Sequence, residues 1–151
     1  MSLTNFPYGA SSFGVPLMGD FPTQGKYIFV KPYSGLDGND GSSPSSAVKT
    51  LTKALALATA NQNDVVVLFA EGHSAAATTD YQSTPLLWNK DGVHLIGANA
   101  GPRFSHRSRI ALISSYVTAS NLITVSATGC LFANIEMLAG VADVNPTGCL
   151  K

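Results

Sequence analysis

The chain has 151 residues, of which 45% are apolar and 12% charged, and its nine basic residues balance its nine acidic residues. This length predicts a single domain, and the apolar content argues against intrinsic disorder. Zero net charge argues against nucleic-acid binding, and since no stretch has the character of a membrane span or a secretory signal, we expect no membrane partner.

Residues 1–25 show no sustained helical or strand periodicity. Three prolines and four glycines interrupt the segment, so the sequence predicts an extended arm in front of a domain at 26–151. Leaving its large apolar side chains in water would cost about 1.5–3 kcal/mol each. We therefore expect the arm to dock on its own domain or on a partner, and we assign it to partner attachment. The residues assigned to this contact are Phe6, Tyr8, Phe13, Val15, Leu17 and Phe21.

The sequence of the first part of the domain predicts a strand, a helix and a second strand, which form a βαβ-like unit. Residues 26–31 are rich in aromatic and β-branched side chains, which is typical of a strand. At 46–59 the apolar residues recur with helical spacing, so we expect an α-helix capped by Ser45 or Ser46. The apolar run at 65–70 indicates a strand buried on both faces. The predicted buried stripe of the helix is Ala47, Val48, Leu51, Ala54, Leu55 and Ala58.

The loop before the helix contains Asp37, Asn39 and Asp40, which together suggest a calcium site. The EF-hand pattern fails at its fifth position, occupied by Gly41, and at its twelfth, occupied by Val48. We therefore expect these polar side chains to stabilise turns, and we expect neither a metal ion nor another cofactor.

Four short strands are predicted in the second half of the chain, at 93–96, 110–114, 122–126 and 131–137. The layout of residues 91–97 recurs at 128–134, as expected for one turn of a three-sided parallel β-helix. The intervening arginine loop, Ala98 to Ser108 with Arg103, Arg107 and the adjoining Arg109, would be an insertion at a corner. The helix at 46–59 would cover the N-terminal end of the stacked coils.

A tetrapeptide also repeats at short range. Thr128, Gly129, Cys130 and Leu131 recur as residues 147–150, 19 positions later, and a period near 20 is typical of a stacked solenoid. The second copy stops at Lys151, so we expect the chain to end inside a coil of a longer natural polypeptide. We expect Cys130 and Cys149 to be small buried side chains in a reducing compartment.

The run from Phe29 through GLDGNDGSSP at 35–44 to Leu51 resembles the entry of right-handed parallel β-helix proteins of the pectate-lyase-like superfamily. The opening LTNFPYGASSFGVP at 3–16 resembles the N-termini of tailed-bacteriophage virion proteins. The resemblance implies a mainly-β fold, namely a right-handed parallel β-helix with one N-terminal capping helix and an extended arm. It also implies a virion component, usually trimeric, on a capsid or tail.

Some members of this superfamily are enzymes that use clustered or paired carboxylates. Here no two acidic residues lie two apart on a predicted strand, and Glu136 is the only acid within a predicted coil strand. His73, His94 and His106 are scattered, and Trp88 is expected in a core or an interface rather than under a sugar. We therefore assign no catalytic residue and expect no enzymatic activity in this chain.

These observations favour a structural virion protein that is assembled in the host cytoplasm. It would be a homotrimeric β-helix of the cement or spike type, contacting the major capsid protein or another virion protein through its arm. The first alternative is a tail spike or fibre that binds host polysaccharide, with any depolymerising coils beyond Lys151. A second is a cellular β-helix binding module.

Overall fold

The computed structural model of the protein describes residues 11–12, 15–16, 25–71, 81–82, 85–98, 108–112 and 121–138. Within these segments the chain is mainly β, with one α-helix. The α-helix, α1, is Leu51–Leu57. The strands are β1 Ser11–Ser12, β2 Val15–Pro16, β3 Tyr27–Val30, β4 Val65–Phe69, β5 Tyr81–Gln82, β6 Leu86–Trp88, β7 His94–Ala98, β8 Ser108–Leu112, β9 Ile123–Val125, β10 Phe132–Ala133 and β11 Ile135–Leu138.

Three parallel sheets make up the domain. The first sheet has the order β10-β7-β4-β3, the second β11-β8-β5 and the third β6-β9. Every pairing within them is parallel. From β4 onwards the chain visits the first, second and third sheets in repeating order, so each sheet collects one strand per pass.

The core lies behind the first sheet, where alternate side chains point inward and stack from strand to strand. Ile28 is aligned with Val66, Val66 with Leu95, and Leu95 with Phe132. The first three are at most 1% exposed. Trp88 closes the core from the third sheet and packs edge-on against Phe132, with ring centroids 5.3 Å apart. Its burial confirms the expectation of a core aromatic and removes it as a sugar-stacking platform.

The predicted helix at 46–59 is wrong at its N-terminal end. Pro44–Ser46 form a short 3-10 helix, and Ala47 to Thr50 follow before α1 begins. Val48 bridges the edge strand β3 at Val30, which holds this segment extended. Thr50, rather than Ser45 or Ser46, caps α1 by accepting a hydrogen bond from the Lys53 amide at 3.1 Å. All six side chains of the predicted stripe are nevertheless buried.

The predicted strands at 26–31, 65–70, 93–96, 110–114 and 122–126 are confirmed, with shifts of up to two residues at the boundaries that the structure describes. β3 and β4 are parallel neighbours, as the strand-helix-strand prediction requires. The expectation that β4 is buried on both faces is only partly correct, because Val67 and Phe69 are half-buried. The sequence prediction missed β5 and β6, which have two and three residues.

The predicted strand at 131–137 is interrupted at Asn134. This residue has a φ of 57°, and its side-chain amide donates to the Gly97 carbonyl at 2.7 Å. It therefore turns the chain from the first sheet into the second. The predicted loop at Ala98–Ser108 is also too long at both ends, because Ala98 ends β7 and Ser108 begins β8. The hydroxyl of Ser108 is buried and donates to the Leu68 carbonyl at 2.6 Å, which holds the start of β8 against the first sheet.

Within the predicted arm, the structure describes one antiparallel pairing. Ser11–Ser12 align with Val15–Pro16, so the chain reverses here rather than continuing extended. Apart from Gly25, the other arm residues lie outside the described segments, as does the second copy of the tetrapeptide at 147–150. The seven residues of α1 fall well short of a bilayer crossing, and the same holds for every helix in the described segments.

Candidate interaction surface

The acidic residues in the described segments are engaged in contacts that hold the fold together. Each one accepts a hydrogen bond or forms an ion pair with a neighbouring loop or strand. These residues are Asp37, Asp40, Asp64, Glu71, Asp91 and Glu136. Asp20, Asp80 and Asp143 lie outside the described segments.

The loop before α1 is held by its own polar side chains, which confirms the turn interpretation. Asp37 accepts from the amides of Lys49 and Thr50 at 2.9 and 2.8 Å, and so ties the loop to the start of α1. Hydrogen bonds from the Ser42 amide, and then from the hydroxyls of Ser46 and Ser42, hold the pKa of Asp40 below its ordinary value.

Asp64 is the most deeply buried acid in the described segments, at 2% exposure. One carboxylate oxygen accepts from the Lys26 amide at 2.9 Å and the other from the Thr59 amide at 2.7 Å. Lys26 also places its ammonium group 4.0 Å from the carboxylate. Asp64 thereby joins the start of β3, the chain after α1 and the start of β4.

Glu71 fixes the loop that follows β3. It accepts from the amides of Tyr33 and Ser34 at 2.7 and 3.0 Å and from the Ser34 hydroxyl. Partial burial raises its pKa, but the Ser34 and Tyr33 hydrogen bonds and the charge of Lys31 together outweigh burial, so the pKa lies below the ordinary value.

Glu136 was the only acid predicted within a coil strand, and it faces Arg109 on the neighbouring strand β8 at 3.3 Å. Arg109 therefore belongs to a strand pair rather than to a loop. The ring of His94 accepts a hydrogen bond from the Leu131 amide at 3.1 Å. In the described part of the chain, no three His, Cys, Asp or Glu side chains are grouped closely enough to hold a metal ion.

A cleft of about 300 Å³ opens at the edge of the first sheet, beside the point where the arm joins the domain. This is at the lower limit of the volumes usual for ligand pockets, about 300–1,000 Å³. Its polar groups come from Lys26, Asp40 and Ser42. Its apolar lining comes from Tyr27, Ile28, Phe29 and Leu57, so the cleft suits an apolar side chain better than a charged ligand.

The outer face of the first sheet is predominantly apolar. Strand register aligns Phe29 with Val67, Val67 with Ile96, and Ile96 with Ala133, so one apolar residue from each strand forms a continuous row. All four are half-buried, as expected for residues that pack against one another at a surface. We call this row and its neighbours the outer face.

Two further rows border this one. One of these two rows begins at Tyr27 and ends at Leu131, and these end residues are 46% and 39% exposed. On the other side the ring of Phe69 packs against that of Phe29 at 6.1 Å and lies beneath the Lys31 ammonium group at 5.4 Å. The outer face thus combines aromatic and aliphatic groups with the half-buried ring of His94, which lies between Tyr27 and Leu131 in the register, and with one cation at its margin.

The other sheets present a different chemistry. The second sheet carries the Arg109–Glu136 ion pair on its outer side, and the third carries Leu87 next to Thr124. The row of Phe29, Val67, Ile96 and Ala133 belongs to the first sheet. Sequence reasoning missed this surface, although the unbroken apolar run at 65–70 was its signal: β4 is apolar on both sides because one side faces the core and the other belongs to the outer face.

Several residues considered in the sequence cannot be placed by the structure. The side chains of the six arm residues assigned to partner binding lie outside the described segments, as do His73, His106 and Cys149. Cys130 is partly buried with a free thiol, and it packs against the core. The prediction of a small core cysteine is thus supported at one of its two positions.

Comparison with known proteins found no matching family model, no matching curated protein and no matching solved structure.

Proposed function

We propose that this chain is a structural protein of a tailed-bacteriophage virion, built as a right-handed parallel β-helix and assembled as a homotrimer. The main support for the β-helix is the order in which the chain enters the three parallel sheets. In each pass it adds one strand to each sheet. Stacked coils produce this order, because each coil contributes one strand to each side. Parallel strands joined by a crossover are right-handed in nearly all proteins, which favours that hand.

The corner that precedes the first sheet supports the same architecture. Extending the register backwards places Gly25, Asn63, Gly92 and Gly129 at one position before the four strands of the first sheet. The last three have a φ between 56° and 67°. A left-handed residue repeated at the same corner is expected when equivalent coils turn in the same way.

The position of α1 supports a capping role. The helix buries Leu51, Ala54 and Leu55, and it contacts β3, β4 and β6. β3 is the terminal strand of the first sheet and β6 belongs to the third, so α1 lies over the end of the stack where these sheets begin. A helix at this end shields core side chains that no preceding coil would cover.

The virion role draws on the composition and on the resemblance of residues 3–16 to virion N-termini. A chain with 12% charged residues and zero net charge suits a subunit of a large assembly, because net charge contributes less to solubility there. The arm would attach the subunit to the major capsid protein or another virion protein.

Association and particle binding test the proposal. Sedimentation equilibrium should give three times the 15.7 kDa mass of the chain, and the purified protein should bind particles that lack it. Deleting residues 2–25 should abolish particle binding, whereas Asn5→Ser with Gln24→Ser, which keeps every apolar arm residue, should not. A stable monomer whose arm deletion leaves particle binding unchanged would refute the proposal. Release of reducing ends or unsaturated sugars from host polysaccharide, without particle binding, would instead assign the spike function.

A further inference from the structure

The outer face has the size of a site for a polypeptide segment. Its four strands have four, five, five and two residues, and at about 4.8 Å between strands and about 3.3 Å per residue they cover about 250 Å². A stable contact between two folded subunits needs about 800 Å² from each partner. The outer face alone is therefore too small for a subunit interface, but it can accommodate a short apolar segment.

We propose that the chain's own N-terminal arm, residues 1–24, docks on this outer face when the protein is not assembled. The arm joins the domain at Gly25, two residues before Tyr27 at the margin of the face. It contains one charged residue, Asp20, so almost no charge would have to be desolvated on an apolar sheet. The inference does not depend on the virion role, since it concerns the isolated chain.

The length of the arm allows this contact within one molecule. Eight residues, 17–24, connect β2 to Gly25, and when extended they span at most about 28 Å. Crossing the sheet from β3 to β10 takes three strand spacings, about 14 Å. The paired segment Ser11–Pro16 can therefore reach every strand of the first sheet.

Docking also accounts for the apolar character of both partners. The arm brings at least eight large apolar side chains, including the six assigned to partner attachment, and the outer face offers the row Phe29, Val67, Ile96 and Ala133 between Leu131 and Phe69. Each surface would otherwise expose apolar area to water, and burying one against the other removes both costs. The cleft beside Lys26 continues the apolar surface towards the point where the arm joins the domain.

Limited chymotrypsin digestion tests the contact, because the arm contains Phe6, Tyr8, Phe13 and Phe21. When opening is fast, cleavage follows the undocked population. Leu131→Asp and Ile96→Asp should raise the rate of arm cleavage about tenfold or more. Leu87→Asp places the same charge on the third sheet and should leave the rate unchanged. Trp88 fluorescence checks that each variant is folded.

A disulfide trap provides a second measurement that does not depend on destabilising variants. In a Cys130→Ser, Cys149→Ser background, Phe13→Cys with Ala133→Cys should form a crosslink within one chain at micromolar protein. Phe13→Cys with Leu87→Cys is the matched control and should not. Equal cleavage of all variants together with no crosslink would overturn the proposal. A crosslink found only between chains, weakening on dilution, would also overturn it by assigning the face to a second copy.

Discussion

Gly92 and Gly129 occupy the same position in the turns that precede the adjacent strands β7 and β10, and both have a positive φ, of 64° and 67°. The Gly92 amide donates to the carbonyl of Thr128, the residue before Gly129, at 2.9 Å. The two glycines therefore make the same turn one above the other. A Cβ on Gly129 would meet only the Gly92 nitrogen at 4.0 Å, and one on Gly92 would make only ordinary contacts, with Asn61 and Asn63 at 3.6–3.7 Å. Backbone conformation, rather than space, requires glycine here.

Replacing Gly129 by alanine should lower the free energy of unfolding by about 1–2 kcal/mol, the cost of a left-handed conformation for an L-residue. Gly129→Asn should cost less, because asparagine tolerates this conformation and Asn63 adopts it at the equivalent corner, with a φ of 56°. Gly38→Ala is the control, because Gly38 has open space around it and no positive φ. Urea unfolding followed by Trp88 fluorescence measures all three. Equal costs for Gly129→Ala and Gly38→Ala would contradict the prediction.

Gly97 is required for a different reason, namely the close approach of the next strand. A Cβ at this position would overlap the Asn134 carbonyl and lie 2.8 Å from the Cβ of Ser108. Both groups are fixed, because Asn134 makes the turn between β10 and β11, and Ser108 bonds to Leu68. Gly97→Ala should therefore cost about 3 kcal/mol, the upper end for an overpacked core. A cost no larger than that of Gly129→Ala would show that the strands separate easily.

Removal of the Asp64 side chain should lower the free energy of unfolding strongly. Asp64→Ala leaves the amides of Lys26 and Thr59 without their acceptor at a partly buried site, which should cost about 2–3 kcal/mol for the two together. Asp91→Ala is the matched control: Asp91 also accepts from a backbone amide, that of Thr128, but in an exposed place, so the cost should stay below about 1 kcal/mol. Hydrogen exchange should show faster exchange at Lys26 and Thr59 only in Asp64→Ala. Similar losses in both variants would mean that burial does not set the cost.

Much of the fold could be predicted from the sequence because its strongest signals are periodic. The apolar stripe at 47–58 identified six core residues, even though Ala47 and Val48 reach the core from extended backbone. Periodicity shows which side chains are buried but not the backbone conformation that carries them. The helix prediction failed at residues 47–50 because Val48 bridges the edge of β3 and Asp37 binds the two amides before α1. Such long-range contacts override helix propensity.

The remaining differences have similar causes. β5 and β6 are too short to produce a pattern, and they exist because β8 and β9 pair with them. The break at Asn134 depends on its bond to Gly97, 37 residues earlier. The outer face escaped notice because alternation in β3 and the continuous run in β4 give different patterns, and only the register between them shows that Phe29 and Val67 are neighbours.

The Glu71 carboxylate should make the free energy of unfolding depend on pH. Its pKa in the folded protein lies below the ordinary value of 4.5, since the Ser34 and Tyr33 hydrogen bonds and Lys31 outweigh the opposing effect of burial. The ionised form is therefore favoured by folding, so its contribution is complete above about pH 6 and is lost as the pH falls through the folded pKa. Wild type should be more stable than Glu71→Gln at neutral pH, and the two should converge in acid.

A second variant locates the cause of this pH dependence. Ser34→Ala removes the hydroxyl that donates to Glu71, so its loss of stability in acid should be smaller than in wild type and should be complete at a higher pH. Urea unfolding of the three proteins between about pH 2.5 and pH 7, followed by Trp88 fluorescence, measures the effect. A difference between wild type and Glu71→Gln that stays constant, or that grows as the pH falls, would show that Glu71 does not titrate with a lowered pKa. If the loss of stability in acid is complete at the same pH in wild type and in Ser34→Ala, the lowered pKa of Glu71 is instead due to the backbone amides and Lys31.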